Sequence, residues 1–387
     1  MMPEEQHNPC ENPLWPCAMT GAAACLAGFE DVAVVVHGSS GCYFYPASLI
    51  GAPIYGTFLL ENEVIFGTES RLREVIAEID DRYSRIAVVN TCVPAIIGED
   101  MSDLGHGGRV LFIDSPGFLG YLETGYRAAL EAISPEVDPA APGVNIGGIS
   151  LFDPFCRGNA IEARRLLNLA GVPVQTTFCL DRYAATRRAA PFTVETNPDL
   201  APGVGTTCGS LLGLDALGET FERLGAAIDG VDARPVAEEA AWADARIRKG
   251  CDKYLRRFDP PVVAIAGGAA YAEYAADLLD RYLGADIAFI AARNDPGPGK
   301  TGITHTTDLA LIREMIMDAE PDLILGSSYE QALAPDAAFV GLTPPLRDRV
   351  TLSSPAVAGV EGALRLMEAV LNACIDRHRR RGSSAVD

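Results

Sequence analysis

The chain has 387 residues, of which 48% are hydrophobic and 21% charged, a composition typical of globular proteins that contain an ample core. Its formal net charge is −21, so nucleic acid and anionic membrane surfaces, which attract clustered positive charge, are not expected partners. No apolar run approaches the roughly 20 residues that span a bilayer, and the N-terminal segment lacks the basic and apolar regions of a secretory signal. We therefore expect a cytoplasmic protein of several domains, at about 100–200 residues per domain.

The first third of the chain alternates strands and helices. DVAVVVHG at 31–38 is a continuous β-branched run that ends in glycine, which is typical of a buried parallel strand. Similar runs follow at 85–92 and 109–114, and the segment 69–83 has apolar residues at helical spacing. This order predicts βαβ units, in which a helix connects neighbouring parallel strands.

A second unit begins with VNIGGISLFDP at 144–154 and continues into a helix that Gly171 is expected to close. VPVQTTFCL is the next predicted strand, and 212–225 is an amphipathic helix. The segment 230–258, rich in Ala, Glu and Arg, predicts a long helix that bridges two domains.

The third unit starts with strand, glycine turn, helix and strand at 260–292. A helix and strand follow at 309–328, and a last helix at 360–378. The sequence thus predicts an α/β protein with three doubly wound, Rossmann-like parallel-sheet domains. We place them at 1–146, which holds the cluster site described below, at 147–258, with the bridging helix, and at 259–387.

Ten cysteines in an expected cytoplasmic chain favour metal binding, catalysis or burial over disulfides. Cys42 follows the first predicted strand, Cys92 ends another, and Cys17 precedes the helix that leads into the first strand. The carboxyl ends of parallel strands form the ligand crevice of such sheets, and thiolates are the usual ligands of iron–sulfur clusters. Three cysteines leave one ligand to come from elsewhere, such as a second subunit.

The residues alone leave alternatives to a cluster. Three unrelated buried cysteines, a catalytic thiol and a zinc site are all compatible with the pattern. The spacings of 25 and 50 residues between Cys17, Cys42 and Cys92 are unlike those of a compact zinc finger. Cys25 and Cys374 lie in apolar or helical runs and are expected to be buried small hydrophobes.

Several longer motifs carry a family resemblance. GFEDVAVVVHGSSGC, LLENEVIFGTESRLREVI and VVNTCVPAIIGED resemble the first domain of the nitrogenase component 1 family. DPFCRGNAIEARRLLNLAGVPVQ and PDLILGSSYEQALA are similar to its later domains, so that the resemblance covers about residues 15–375. The family includes nitrogenase molybdenum–iron subunits, cofactor-assembly scaffolds, protochlorophyllide and chlorophyllide reductases, and the reductive cyclase for nickel-sirohydrochlorin a,c-diamide.

The resemblance implies an iron–sulfur cluster, of the 4Fe-4S type or larger, bound by Cys17, Cys42 and Cys92 near a subunit interface. Cys10 is an alternative to Cys17. It also implies a homodimer or a related second subunit, and a separate iron protein that hydrolyses ATP and supplies electrons. NDPGPGKTG at 294–302 does not match the spacing of a phosphate-binding loop, which agrees with ATP hydrolysis on the partner.

Departures from the nitrogenase pattern narrow the expected chemistry. SSPAVAGVEG lacks the histidine that binds the iron–molybdenum cofactor, so dinitrogen reduction is not expected. Cys208 lies near the position of the cofactor cysteine and is a further candidate metal ligand, with burial at a helix start as the alternative. Chain length and the missing histidine favour a small-molecule tetrapyrrole substrate such as nickel-sirohydrochlorin a,c-diamide. The segment YFYPASLIGAPIYG after Cys42 does not resemble that of the nickel-sirohydrochlorin cyclase, so a nitrogenase-like reductase of another substrate is an alternative. A cofactor-assembly scaffold without turnover and a purely structural subunit are the others.

Two polar groups accompany the cysteines. His37, at the end of the first strand, is expected to be a hydrogen-bonded structural histidine, with proton donation near the cluster as the alternative. Glu99 and Asp100, which follow Cys92, are expected to cap or position a helix.

Overall fold

The computed structural model describes residues 14–79, 82–99, 101, 108–298, 300–347 and 350–384. Cys10 and Asp100 lie outside these residues. The chain divides into two compact units: the first contains residues up to 152 together with 175–193 and 202–206, and the second contains the rest. The domain boundaries near 146 and 258 stay a prediction.

A four-stranded parallel sheet forms the first unit's centre, in the order β2-β1-β3-β4. Its strands are β1 (Val32–His37), β2 (Ile54–Gly56), β3 (Arg85–Asn90) and β4 (Val110–Ile113). Its helices are α1 (Ala18–Leu26), α2 (Ser40–Leu49), α3 (Glu61–Phe66), α4 (Glu69–Glu78), α5 (Cys92–Ile97) and α6 (Leu122–Ile133). The strands predicted at 31–38, 85–92 and 109–114 are confirmed.

Every residue of β1 is buried, as its continuous β-branched run predicts for a central parallel strand. Ala33 and Val35 of β1 pack with Ile86 and Val88 of β3 and with Leu72 of α4 in one apolar cluster. Because alternate strand residues point to opposite faces, this cluster covers one face of the sheet.

Helices α1 and α6 pack with their backbones almost in contact. A Cβ atom on Gly21 would lie 1.8 Å from the carbonyl oxygen of Leu122, and one on Gly125 would lie 1.6 Å from that of Ala18. Only glycine permits so close an approach of two backbones. These two glycines therefore allow α1, whose first turn follows Cys17, to pack directly against α6.

The middle sheet has the strand order β6-β5-β7-β8, and its residues are divided between the two units. Its strands are β5 (Val144–Gly147), β6 (Val174–Thr177), β7 (Phe192–Glu195) and β8 (Thr206–Ser210). The associated helices are α7 (Cys156–Leu169), α8 (Leu214–Ala227) and α9 (Arg234–Leu255). Gly171, predicted to close α7, lies just beyond it with φ +75°, a conformation that favours glycine at helix ends.

The third sheet is parallel, in the order β11-β10-β9-β12-β13. Its strands are β9 (Val262–Gly267), β10 (Asp286–Ala292), β11 (Ile303–His305), β12 (Leu323–Gly326) and β13 (Ala338–Gly341). The helices are α10 (Ala269–Leu283), α11 (Leu309–Ala319), α12 (Ser328–Leu333) and α13 (Gly359–Ser384). Within the described ranges, no helix has the length and apolar character needed to cross a bilayer.

Candidate functional site

The carboxyl edge of the first sheet brings together the three predicted ligands. Strands β1 and β3 end level with each other, because His37 pairs with Asn90 in the parallel register. Cys42 lies in α2, directly after β1, and Cys92 is the first residue of α5, directly after β3. Short connections after neighbouring strands thus place two thiols on one rim, as the sequence predicts.

Gly117, in the turn after β4, marks the point where the thiols converge. A Cβ atom built on Gly117 would lie 3.2 Å from the Sγ atoms of both Cys17 and Cys92. The backbone N–H of Gly117 also donates a hydrogen bond to Sγ of Cys92, with an N···S distance of 3.1 Å. The absence of a side chain at this glycine lets the two sulfurs lie against its backbone, where even a methyl group would be crowded.

Cys17 reaches the rim because α1 begins there. Cys17 is the N-cap residue of α1 and pairs with Tyr121 in an isolated antiparallel bridge. The next residue, Ala18, donates its N–H to the carbonyl of Gly120 at 2.9 Å. Upstream, the indole N–H of Trp15 donates to the Glu123 carboxylate at 3.0 Å. These contacts fasten the N-terminal segment to the start of α6.

Burial distinguishes these three cysteines from the others. Among the nine described cysteines, Cys17, Cys42 and Cys92 are half-buried and the remaining six are buried. Burial raises the pKa of the Cys42 thiol, and the nearby sulfurs of Cys92 and Cys17 raise it further, whereas a hydrogen bond from Ser39 lowers it. The effect of these two sulfurs on the pKa of Cys42 reflects how close they lie to it.

A cluster and a single metal ion require different arrangements of the thiols. Among the described residues, no group of three or more His, Cys, Asp and Glu side chains is placed to hold one metal ion. Cluster thiolates bind different irons, so their sulfurs lie further apart than the ligands of one ion. The Ser115 hydroxyl, which is buried without a hydrogen-bond partner two residues before Gly117, is consistent with a bound group at this rim.

His37 organises the segments around the cysteines. Its Nδ1 lies 3.2 Å from Oγ1 of Thr57, and its Nε2 lies 2.9 Å from Oγ1 of Thr68. Thr68 donates both its backbone N–H and its hydroxyl to the Glu99 carboxylate. The hydroxyl of Thr68 is thereby occupied as a donor, which assigns the proton of His37 to Nε2.

The ring of His37 is neutral near pH 7. It is fully buried, and burial lowers its pKa to about 4, although the Glu99 carboxylate opposes that shift. The expectation of a hydrogen-bonded structural histidine agrees with this geometry. Glu99 joins the end of α5 to the first turn of α4, which agrees with its expected positioning role.

An exposed apolar surface accompanies the cysteine rim. Phe66 is 86% exposed and Ile96 is 75% exposed, which is unusual for large apolar side chains that cluster on neighbouring elements. The surface belongs to α2, the segment before α3, α3, α5 and the turn after β4, all of which follow strands of the first sheet. It consists of Phe44, Tyr45, Phe58, Leu60, Ile65, Phe66, Ile96, Ile97, Phe118 and Leu119.

Cys208 lies in β8 and belongs to the second unit. It is buried, and burial raises the pKa of its thiol while the Arg223 guanidinium lowers it. Its role as a metal ligand stays a prediction. Sequence reasoning missed Gly117, and the only available signal was a glycine a few residues after a strand.

Comparisons with known proteins agree on the family. The model of the family described as nitrogenase component 1 type oxidoreductase matches residues 17–375. The nitrogenase iron-molybdenum cofactor biosynthesis protein NifE of Clostridium pasteurianum is 32% identical over 156 residues, which cover 36% of this chain and 34% of that protein. The nitrogenase molybdenum-iron protein beta chain of Frankia alni is 31% identical over 189 residues, 42% of this chain and 36% of that one.

The chain thus spans about a third of the length of these curated relatives. A solved structure, "Nitrogenase Cp1 at pH 6.5", superposes with a TM-score of 0.80 at 19% identity and covers 95% of this chain and 94% of that chain. At such low identity, the superposition supports the fold alone, and it confirms the predicted nitrogenase component 1-like α/β architecture.

Proposed function

This chain belongs to the nitrogenase component 1 type oxidoreductase family, and we propose that it is the iron–sulfur component of a nitrogenase-like reductase. Proteins of this family bind iron–sulfur clusters. The observation that carries the proposal is that three half-buried thiols lie close together on one rim: Gly117 contacts the sulfurs of Cys17 and Cys92, and the pKa of Cys42 responds to both.

Cys17, Cys42 and Cys92 are the proposed ligands, and a bound cluster would supply storage and transfer of single electrons. The chain's own residues hold and shape the site. The N–H of Gly117 donates to Sγ of Cys92, and hydrogen bonds to ligand sulfurs are among the features that set cluster potentials. His37 ties the segments around the rim together through Thr57 and Thr68.

A second copy of this chain is the proposed occupant of the exposed apolar surface. Family members form multimers, and three ligands from one chain leave coordination incomplete. Ten large apolar side chains exposed on the elements that follow the strands of the first sheet support burial against another subunit. Scattering or sedimentation of the cluster-loaded protein tests this, since a stable monomer with a full cluster would contradict it.

The proposed electron donor is a separate ATP-hydrolysing iron protein, because members of this family partner with such proteins. The sequence offers no segment with the spacing of a phosphate-binding loop. The strong negative charge of −21 also opposes triphosphate binding at any site without compensating cations.

A small-molecule substrate is proposed for the reductase, with a tetrapyrrole such as nickel-sirohydrochlorin a,c-diamide as the specific candidate. The second candidate function is a cofactor-assembly scaffold without turnover. It is favoured by the similarity to proteins named for iron-molybdenum cofactor biosynthesis, at 32% and 35% identity.

The deciding experiment combines the anaerobically purified chain, an iron-protein homologue, dithionite and ATP, and follows cluster reduction spectroscopically. A reductase component is expected to be reduced only when both ATP and the homologue are present, and to turn over repeatedly with added substrate. A scaffold is expected to release its cluster to an acceptor protein once, without repeated turnover. Reduction that is unchanged when ATP or the homologue is omitted would refute the two-component mechanism.

A further inference from the structure

We propose that Cys25 and Cys179 form an oxidisable dithiol, a site at which a two-electron oxidant installs a disulfide between α1 and the turn after β6. The two residues are 154 positions apart in sequence, yet their Sγ atoms lie 3.2 Å from each other. That distance exceeds the ~2.05 Å of a disulfide bond by about 1.2 Å, so the two sulfurs have only this gap to close.

The backbone around the pair is built to hold this contact. Cys179 has φ +62°, a left-handed conformation that costs a residue with a side chain energy and persists only where the surroundings enforce it. A Cβ atom on Gly28 would lie 1.9 Å from the carbonyl oxygen of Cys179, so the turn presses directly against the chain just after α1. Both features hold the backbone of Cys179 next to the chain that follows α1.

Hydrogen bonds fix the turn itself. Phe178 donates its N–H to the carbonyl of Ile146 at 2.9 Å. The carboxylate of Asp181 accepts the N–H of Thr177 at 2.6 Å. A turn fastened on both sides of Cys179 keeps the two sulfurs in register instead of allowing them to separate.

The chemistry is a balanced two-electron oxidation. Each thiol loses its S–H bond, one S–S bond forms, and the two protons and two electrons pass to the oxidant. With a diazene such as diamide, the N=N bond becomes an N–N bond that carries two hydrogens. With a small disulfide, the oxidant is reduced to two thiols through a mixed disulfide.

Burial sets the rate of this reaction. Both cysteines are 0% exposed, and burial, together with the Cys179 sulfur, raises the pKa of the Cys25 thiol. The attacking thiolate therefore forms only in local openings. We expect the small diazene to react faster than a bulky disulfide. In chains that carry no cluster, the half-buried cysteines of the rim should react before the pair.

The test oxidises the folded, anaerobically purified chain with diamide, then blocks free thiols with N-ethylmaleimide under denaturing conditions. Pepsin digestion and mass spectrometry follow. Trypsin is unsuitable because it cuts after Lys and Arg, the first of which is Arg71, and would leave Cys17, Cys25 and Cys42 in one peptide. The expected result is a linked peptide pair containing Cys25 and Cys179, and two fewer alkylated thiols for that pair. Dithiothreitol should restore both.

Variants show which two cysteines form the disulfide. Its detection in the wild-type chain does not depend on them. C25S and C179S should each abolish it, whereas C251S, a matched change at another buried cysteine, should retain it. The proposal is overturned if Cys25 and Cys179 stay fully alkylatable after the rim cysteines have been oxidised, or if Cys25 links to a partner other than Cys179. Neither outcome depends on cluster binding, so failure here is distinct from failure of the proposed function.

Discussion

Gly117→Ala tests whether the cluster binds where the sulfurs of Cys17 and Cys92 contact Gly117. Gly117 does not have a positive φ, so alanine adds no backbone strain. The new methyl group would lie 3.2 Å from Cys17 Cβ and from the Sγ atoms of Cys17 and Cys92. Half-buried sulfurs can move by the few tenths of an ångström needed, so the free energy of unfolding of the metal-free protein should change by about 1 kcal/mol at most.

Cluster binding should respond far more strongly, because the methyl group fills the space that the thiolates face. We expect iron affinity to fall by about tenfold or more, in line with changes around metal ligands. Alanine keeps the backbone N–H that donates to Cys92, so a lower iron affinity would reflect the added volume of the methyl group and not the loss of this hydrogen bond. The assay is iron and acid-labile sulfide per chain after anaerobic reconstitution, with urea unfolding of the metal-free protein alongside.

Gly218→Ala provides the matched control. Gly218 lies in α8, and a Cβ atom there would meet nothing within 4 Å. This change should raise the free energy of unfolding by about 0.5–1 kcal/mol and leave iron content unaltered. If Gly117→Ala binds as much iron as the wild type, with an unchanged spectrum, the space beside Gly117 is not where the cluster binds.

Three further predictions concern the ligands, the second unit and the helix packing. Cys42→Ala and Cys92→Ala should each remove most of the cluster's paramagnetic-resonance signal. Cys374→Ala should not, because a buried small hydrophobe tolerates alanine. An equal iron content in all three variants would contradict the ligand assignment. Burial raises the pKa of Asp153 to about 6, above its unfolded value, so its neutral form stabilises the fold at low pH and this contribution is lost as pH rises from about 4 to 6. Between pH 4 and pH 8, the free energy of unfolding of Asp153→Asn should therefore rise by about 3 kcal/mol relative to that of the wild type, as measured by urea unfolding. A difference in unfolding free energy that does not change with pH would show that Asp153 ionises freely. Gly125→Ala should lower the free energy of unfolding by about 1–3 kcal/mol or more, because its Cβ would lie 1.6 Å from a backbone carbonyl of α1; a neutral result would show that α1 and α6 pack less tightly.

The second unit contains the hydrogen-bond network that makes the Asp153 test informative. The hydroxyl of Tyr271 donates to the carboxylate of Asp153 at 2.6 Å and accepts from the side chain of Asn159 at 2.7 Å. The amide oxygen of Asn159 in turn accepts the N–H of Val357 at 2.8 Å. Because these buried groups depend on one another, the measured gain for Asp153→Asn includes any change in the tyrosine's hydrogen bonds.

Local sequence determined most of the secondary structure. Short β-branched runs that end in glycine, such as 31–38, favour buried strands, and helical spacing of apolar residues identified α4, α8 and α13. The order of strands and helices then predicted parallel sheets, because parallel neighbours need crossover connections. Since chain direction fixes which ends of parallel strands meet, the sequence also predicted that Cys42 and Cys92 share a rim.

Tertiary structure decided what surrounds those thiols and which buried groups meet. The place of Gly117 between two sulfurs depends on how the turn after β4 crosses the rim, and the approach of Cys17 depends on the contact between α1 and α6. The sequence predicted that Cys25 is buried but held no sign of its partner, because 154 positions separate it from Cys179. Periodicity reports only which face of an element is apolar; the pairing of side chains across the core follows from packing distances between elements, which no local pattern encodes.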